Sequence, residues 1–478
     1  MTPHAFILVP LGLMLFVFSR KWLYRLMVAS TLFSGTAVFN LGSGDGASGV
    51  QVWMFFGSLW LLREAITRLL QGRLSIRRRL VTPATWLGVF LFMAAISLVM
   101  PLYINGHLQI GSATLTDNST TPLIFTSRHI TAWLYIAFGI LLAISLADEN
   151  SSVDKLEATG RVYLCTGVFV SLWGFFQLLC PLIGLTYPAF IFNNSTSPGA
   201  MGYMATFPGM ELLRMSSVAL ETSIMSQALL TVLPLTFPAL LGRGRLISIK
   251  SDRYCALLIV AALIGSTSSS AYAGLLFVAV ATLWMAARMK INRATTIIKM
   301  ALLGAACVST VVFVLYTQVV FMRQMLDLIL FAKGSSYSAL ERLKTIELAS
   351  GYFSRYPLLG VGWGSVTSHD LLFKLLADVG LIGFMSFAGA VLWLIIRLNR
   401  DLKGRQDRVA MIQMAWLLSL TVLIFTNVLS GFAYVLGHMW FTFGMAITCA
   451  TLTGPLNARP NTQTVPAGPQ LHPEGTLV

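Results

Sequence analysis

"YPLLGVGWGSVTSHDLLFKLLADVGLIGF" (residues 356–384) sets two patterns side by side. Its second half is apolar and opens a run that reads as a membrane helix over 374–396. Its first half places three glycines in five positions (Gly360, Gly362, Gly364) and follows them with His369 and Asp370. Hydrocarbon excludes lipid-exposed irregular backbone, and titratable side chains are rare within it. The stretch therefore reads as a boundary, a glycine turn at a membrane surface that delivers a histidine to a helix start. No strand precedes the glycines, so they are not a dinucleotide-binding fingerprint.

The composition agrees. Of 478 residues, 56% are hydrophobic and 11% charged, and the mean hydropathy is +0.76. A soluble surface takes roughly 25% charged residues. The chain is expected to be an all-α, polytopic membrane bundle of about 12–13 helices. They fall near 4–19, 24–42, 48–63, 85–104, 128–146, 162–184, 222–241, 254–268, 270–287, 296–316, 374–396, 409–430 and 434–453. The first run is followed by Arg20 and Lys21 rather than a small-residue cleavage site, so it reads as a retained helix. The five cysteines sit in or beside apolar runs without C-x-x-C spacing, and read as small buried hydrophobes.

The net charge of +15 is a matter of topology. Alternate connectors and the tail hold 25 of the 33 Lys+Arg, and the opposite face holds eight. That split follows the positive-inside rule, and nucleic acid is not needed to explain it. The bundle is assigned to 1–455, with outer-face loops at 185–221 and 317–373 and a polar, disordered cytoplasmic tail at 456–478. In the second loop, "SALERLKTIELASGYF" (338–353) spaces Leu340, Leu343, Ile346 and Leu348 for an amphipathic helix on the outer face. Ser338 and Glu341 form a capping-box pattern, and Pro357 ends the helix.

The candidate residues each have an ordinary reading. Arg214 suits an interfacial anchor whose charge reaches headgroups, with Glu221 seven residues on. Arg342 suits a solvated helix face. "STSSSAYAG" (266–274) suits a hydrated turn between two helices. His369 suits an interfacial polar residue. A helix N-terminus disfavours imidazolium, however, so His369 is expected to be neutral and able to accept a proton. The influence of Asp370 is left open by its position.

Together these elements resemble the O-antigen ligase and O-antigen polymerase superfamily. That family's P-L-x-G-x-G turn, His-Asn pair and L-x-E-x-G-x-x-G helix are similar to "PLLGVGWGS", His369-Asp370 and "LLADVGLIGF". Its arginine element before a helix ending in Leu-Pro is similar to "RMSSVALETSIMSQALLTVLPL", and its S-R-(G/S) break looks like "STSSSAYAG". The resemblance spans most of 125–450. Here Asp370 stands for the family's asparagine, Thr222 for its proline after the acidic residue, and the arginine of its break is absent.

The resemblance implies a metal-independent transferase, without cofactor, in a bacterial cytoplasmic membrane and acting on the outer face. Its partners would be a polyprenyl-diphosphate-linked glycan donor, a glycan acceptor and membrane lipids, with room for a chain-length regulator protein. His369 would be the base, and Arg214 and Arg342 would bind the donor diphosphate. Glu221, Asp370, Gly360, Gly362 and Gly364 would support them, the glycines by letting backbone approach the substrate. Arginine suits phosphate through its two-pronged donor geometry. The outer-face acids form no D-x-D pair. The R-x-S-x-x-x-x-E-x-S form (Arg214, Ser216, Glu221, Ser223) favours a polymerase. A ligase shares the same motifs, and a transporter without chemistry is the third reading.

Overall fold

The computed structural model describes residues 2–41, 48–72, 75–195, 204–207, 210–291, 317, 337–431 and 434–452. The protein is an all-α polytopic bundle, and among the described residues seven helical segments are long and apolar enough to cross a membrane. In chain order the described helices are α1 (Ala5–Phe18), α2 (Arg20–Ser30), α3 (Val52–Leu70), α4 (Val81–Ser97), α5 (Val99–Ile104), α6 (Ser127–Glu149), α7 (Val153–Leu182) and α8 (Thr222–Val232). They continue as α9 (Phe237–Leu240), α10 (Ile249–Gly265), α11 (Ser269–Arg288), α12 (Tyr337–Arg355), α13 (Leu371–Leu402), α14 (Arg408–Ser430) and α15 (Gly437–Thr451). The helix expected at 296–316 and the tail at 456–478 lie outside the described residues.

The helix read over 24–42 is shorter than expected. It ends at Ser30, and the chain turns into an antiparallel pair, β1 (Ala37–Leu41) with β2 (Ser48–Gln51). Ser30 and Thr31 donate their hydroxyls to carbonyls three residues back, which satisfies groups the helix no longer uses. Two more hairpins lie at the same end: β3 (Gln109–Gly111) with β4 (Thr120–Pro122), and β5 (Met204–Phe207) with β6 (Met210–Leu213).

The two ends of the bundle differ in charge. At one end Arg20 pairs with Glu64 and Glu149, Arg68 and Arg77 with Asp148, and Arg408 with Asp154 and Glu157. The N-terminal residues lie at the other end. The Thr2 hydroxyl donates to the Val38 carbonyl at 2.6 Å, and the His4 ring contacts Asn194 at 2.8 Å. The basic residues at Arg20, Arg68, Arg77 and Arg408 thus share one end.

Two of the segments that flank the site are central. In Thr222–Leu240 the membrane-length window is 83% buried, and in Arg408–Ser430 it is 78% buried. Close approach of α6 and α15 uses small residues. A side chain on Gly139 would collide with the Trp440 ring, and one on Gly444 would meet the Ala143 carbonyl. A second, smaller apolar cluster joins Ile104, Leu108, Leu123, Ala349, Tyr352, Val361 and Val366, and it seats α12 on the glycine turn.

Helix α13 is broken. Gly380 has φ +64° inside it, and the turn at 357–362 fills the gap. Val361 N–H donates to the Ala377 carbonyl at 2.7 Å and Gly362 N–H to the Asp378 carbonyl at 3.0 Å. In return Leu381 and Ile382 N–H donate to the Pro357 and Leu358 carbonyls. Backbone groups freed by the break are thereby satisfied within the protein, which is the condition for irregular backbone at membrane depth.

Candidate functional site

The glycines come first because they fix everything after them. Gly360, Gly362 and Gly364 have φ of +66°, +107° and +85°. A side chain at Gly360 would strike the Ala377 carbonyl, and one at Gly362 would strike Pro101. The expectation that all three admit substrate is therefore corrected. Gly360 admits the backbone of α13 and Gly362 the Pro101 ring, and of the three only Gly364 lines the pocket described below.

The turn is held from beneath by a buried ion pair that the sequence reading passed over. Asp378 is fully buried and Lys374 is 7% exposed, with 2.9 Å between Lys374 Nζ and Asp378 Oδ2. The Asp378 carboxylate also accepts from Gly364 N–H at 3.2 Å and Val366 N–H at 3.0 Å. Lys374 donates further to the Val366 carbonyl at 2.7 Å and lies over the Trp363 and Tyr434 rings. A K-x-x-x-D pair at helical spacing inside an apolar run was the available signal.

Asp370 caps α13. Its Oδ1 accepts from Leu372 N–H at 2.7 Å and Phe373 N–H at 2.9 Å. That answers the open question of its role: it stabilises the helix start. His369 is the residue before the cap, and its own N–H donates to Thr345 Oγ1 at 3.4 Å. Thr345 lies on α12, so His369 is tied to the helix that carries Arg342 and Glu341.

Helix α12 runs where expected, and its contacts show which side packs on the bundle. Thr345, Ala349 and Tyr352 point inward, while Leu340 and Leu343 are 42% and 61% exposed. Lys344 Nζ clamps the helix to the β3–β4 hairpin through the Thr114 and Asp117 carbonyls, and Tyr352 Oη accepts from Gly111 N–H. Arg342 is consequently only partly exposed, not on a fully solvated face. The Ser338 side chain lies outside the described residues.

Four chain segments meet here. A pocket of about 300 Å³ is lined by Glu221 at the start of α8, by Gly364 and His369, by Arg128 at the start of α6, and by Gly431 and Tyr434 after α14. Burial pulls the His369 imidazole below its ordinary value; Glu341 and Glu221 oppose this and Arg342 reinforces it. Arg214 and Arg342 are both lowered chiefly by burial, with Glu221 acting against it at each, and the two guanidiniums feel each other at Arg214. His369, Glu221, Arg214 and Arg342, drawn from three separate stretches of sequence, thus lie within one electrostatic neighbourhood.

Supporting contacts explain the rest of the arginine element. Gln177 of α7 accepts from Ser216 N–H at 2.9 Å and Ser217 N–H at 2.8 Å, which fixes the backbone just after Arg214. Ser217 needs this hold because its φ is +53°. Ser223 donates its hydroxyl to Glu221 at 3.1 Å. The serines of 266–274 are not a hydrated turn. Ser266, Ser268 and Ser270 are buried, and they hydrogen-bond to one another and to Ser226 of α8. Gln177, Arg128, Lys374, Asp378 and Tyr434 are the residues that sequence reasoning missed.

The arrangement places an imidazole of lowered proton affinity and the Glu221 carboxylate in one pocket, with the partly buried Arg214 and Arg342 guanidiniums near enough to Glu221 to be influenced by it. Such a site can take a proton from a hydroxyl while holding an anionic group. No protein-family model and no curated protein matches the chain.

Proposed function

We propose that the protein is a membrane glycosyltransferase that polymerises polyprenyl-diphosphate-linked oligosaccharide units into a surface polysaccharide at the outer face of a bacterial cytoplasmic membrane. The observation that carries this reading is the pocket that His369 and Glu221 share at the less basic end of the bundle, with Arg342 and Arg214 close enough to be coupled to them electrostatically. His369 is the base that takes the acceptor hydroxyl proton as oxygen attacks the donor's anomeric carbon. The bond to the diphosphate breaks, and Arg214 and Arg342 stabilise the negative charge that gathers on the leaving group. Glu221 keeps the two guanidiniums from repelling one another without donor.

The reading is tested in a strain lacking the protein. Single lipid-linked repeat units should accumulate; accumulation of long lipid-linked chains instead would assign a ligase. With purified protein, transfer should persist in excess EDTA. Activity that vanishes with EDTA and returns with magnesium would overturn the arginine account of the leaving group.

A further inference from the structure

Helices α2 and α7 carry a feature that the outer-face site leaves unused. Both start at the basic end and run side by side, and between them lies an open apolar groove of about 660 Å³. Leu26 and Ala29 of α2 and Val162 of α7 line it. Phe33 and Phe169 close its inner end, their rings stacked 5.9 Å apart. Arg25 and Arg161 line its other end, and through Arg25, Ala158 and Val162 it continues into a hollow of about 350 Å³ at the basic face.

The charges around this mouth divide into two sets. Arg20 and Lys155 are committed to Glu64 and Glu149, and Lys21 lines the adjoining hollow without a carboxylate partner among the described residues. Arg25 and Arg161 have no carboxylate partner among the described residues; Arg25 instead lies over the Trp22 ring at 4.9 Å. Two uncompensated guanidiniums at the mouth of an apolar slot match a phosphate headgroup joined to a hydrocarbon tail. The length fits as well. From Arg161 to Phe169, α7 rises about 12 Å, close to the ~15 Å depth of one hydrocarbon leaflet.

We infer that this groove is a binding site for one anionic phospholipid of the leaflet at the basic face. Its phosphate lies between Arg25 and Arg161, and one acyl chain runs to the Phe33–Phe169 stack. A free phosphate would use the arginines and leave the apolar walls unused.

Native mass spectrometry of the delipidated full chain in detergent tests this. The protein is titrated separately with phosphatidylglycerol, with phosphatidylcholine of the same chains, and with phosphatidylglycerol in the presence of millimolar inorganic phosphate. One phosphatidylglycerol should be retained at least about tenfold more tightly than phosphatidylcholine, the discrimination expected of one charge-assisted contact. Arg25→Gln with Arg161→Gln should abolish that preference. Ala29→Phe, which fills the groove and leaves both charges, should weaken both lipids. Equal binding of the two lipids, phosphatidylglycerol binding unchanged by either variant, or displacement by inorganic phosphate would each overturn the assignment.

Discussion

The proton affinity of His369 is lowered by its position rather than by a partner. Burial lowers its proton affinity, Arg342 lowers it further, and Glu341 and Glu221 raise it. A base whose proton affinity is lowered stays competent at pH values where an ordinary histidine, near 6.5, is half protonated. The acid limb of the pH–rate profile should therefore lie below about 6.5. The signs of the neighbours give a second readout. Arg342→Gln removes a positive charge and should move that limb to higher pH, while Glu341→Gln should move it lower. His369→Ala should abolish transfer with the protein still in the membrane.

The arginines make a separate prediction. Arg214→Lys keeps the charge but not the two-pronged contact. Losing one charge-assisted contact of about 2–3 kcal/mol should slow transfer roughly 30- to 150-fold, read as kcat/KM with a lipid-linked donor. Asp370 is different in kind. Asparagine caps a helix as well as aspartate does, so Asp370→Asn should be tolerated, whereas Asp370→Ala should cost about 1 kcal/mol of stability. This accounts physically for Asp370 standing where the resembled family has asparagine. At this scale His369, Arg214, Arg342 and Glu221 were legible because each sits at a break in apolar sequence. Lys374 and Asp378 were not, because each looks ordinary alone and their importance lies in the turn they bind. Removing one partner, as in Asp378→Asn, leaves a buried ammonium without its counter-charge. Thermal unfolding in detergent should show a loss on the order of 3–5 kcal/mol.

Among the elements, the long helices were readable from hydropathy alone, since a membrane demands length and apolarity together. The hairpins were not. Ala37–Leu41 is as apolar as a helix end, and only its pairing with Ser48–Gln51 makes it a strand. The break in α13 was equally hidden, because "LLADVGLIGF" has helical composition on both sides of Gly380. What breaks it is the arrival of the 357–362 turn, whose carbonyls replace those of the helix. Gly380→Ala would place a side chain against the Leu358 carbonyl at a positive φ. It should expel the turn, displace His369, and lose both transfer and the native unfolding transition. Gly351→Ala, on α12 with open space around it, is the matched control and should change neither. The residues that seat α12 on the bundle, Thr345, Ala349 and Tyr352, were not legible in the leucine spacing, which marks the face left exposed.

For the whole molecule, sidedness organises the account. The paired basic clusters at one end and the pocket segments with the hairpins at the other form two chemically different faces. In a chain with its five cysteines replaced, Thr116→Cys should react with an impermeant thiol reagent in spheroplasts, and Lys403→Cys should react only after lysis. Both positions are exposed; Ser195, in the loop between α7 and α8, is 6% exposed and would report poorly. The central claim is chemical, and reconstitution tests it most directly. The purified protein is placed in liposomes with a polyprenyl-diphosphate-linked repeat unit, and the products are resolved by size. The account predicts a ladder of lengthening lipid-linked chains from the unmodified protein, none from His369→Ala, and a strongly slowed one from Arg214→Lys. Donor left unextended by the unmodified protein, or a full ladder from His369→Ala, would contradict it.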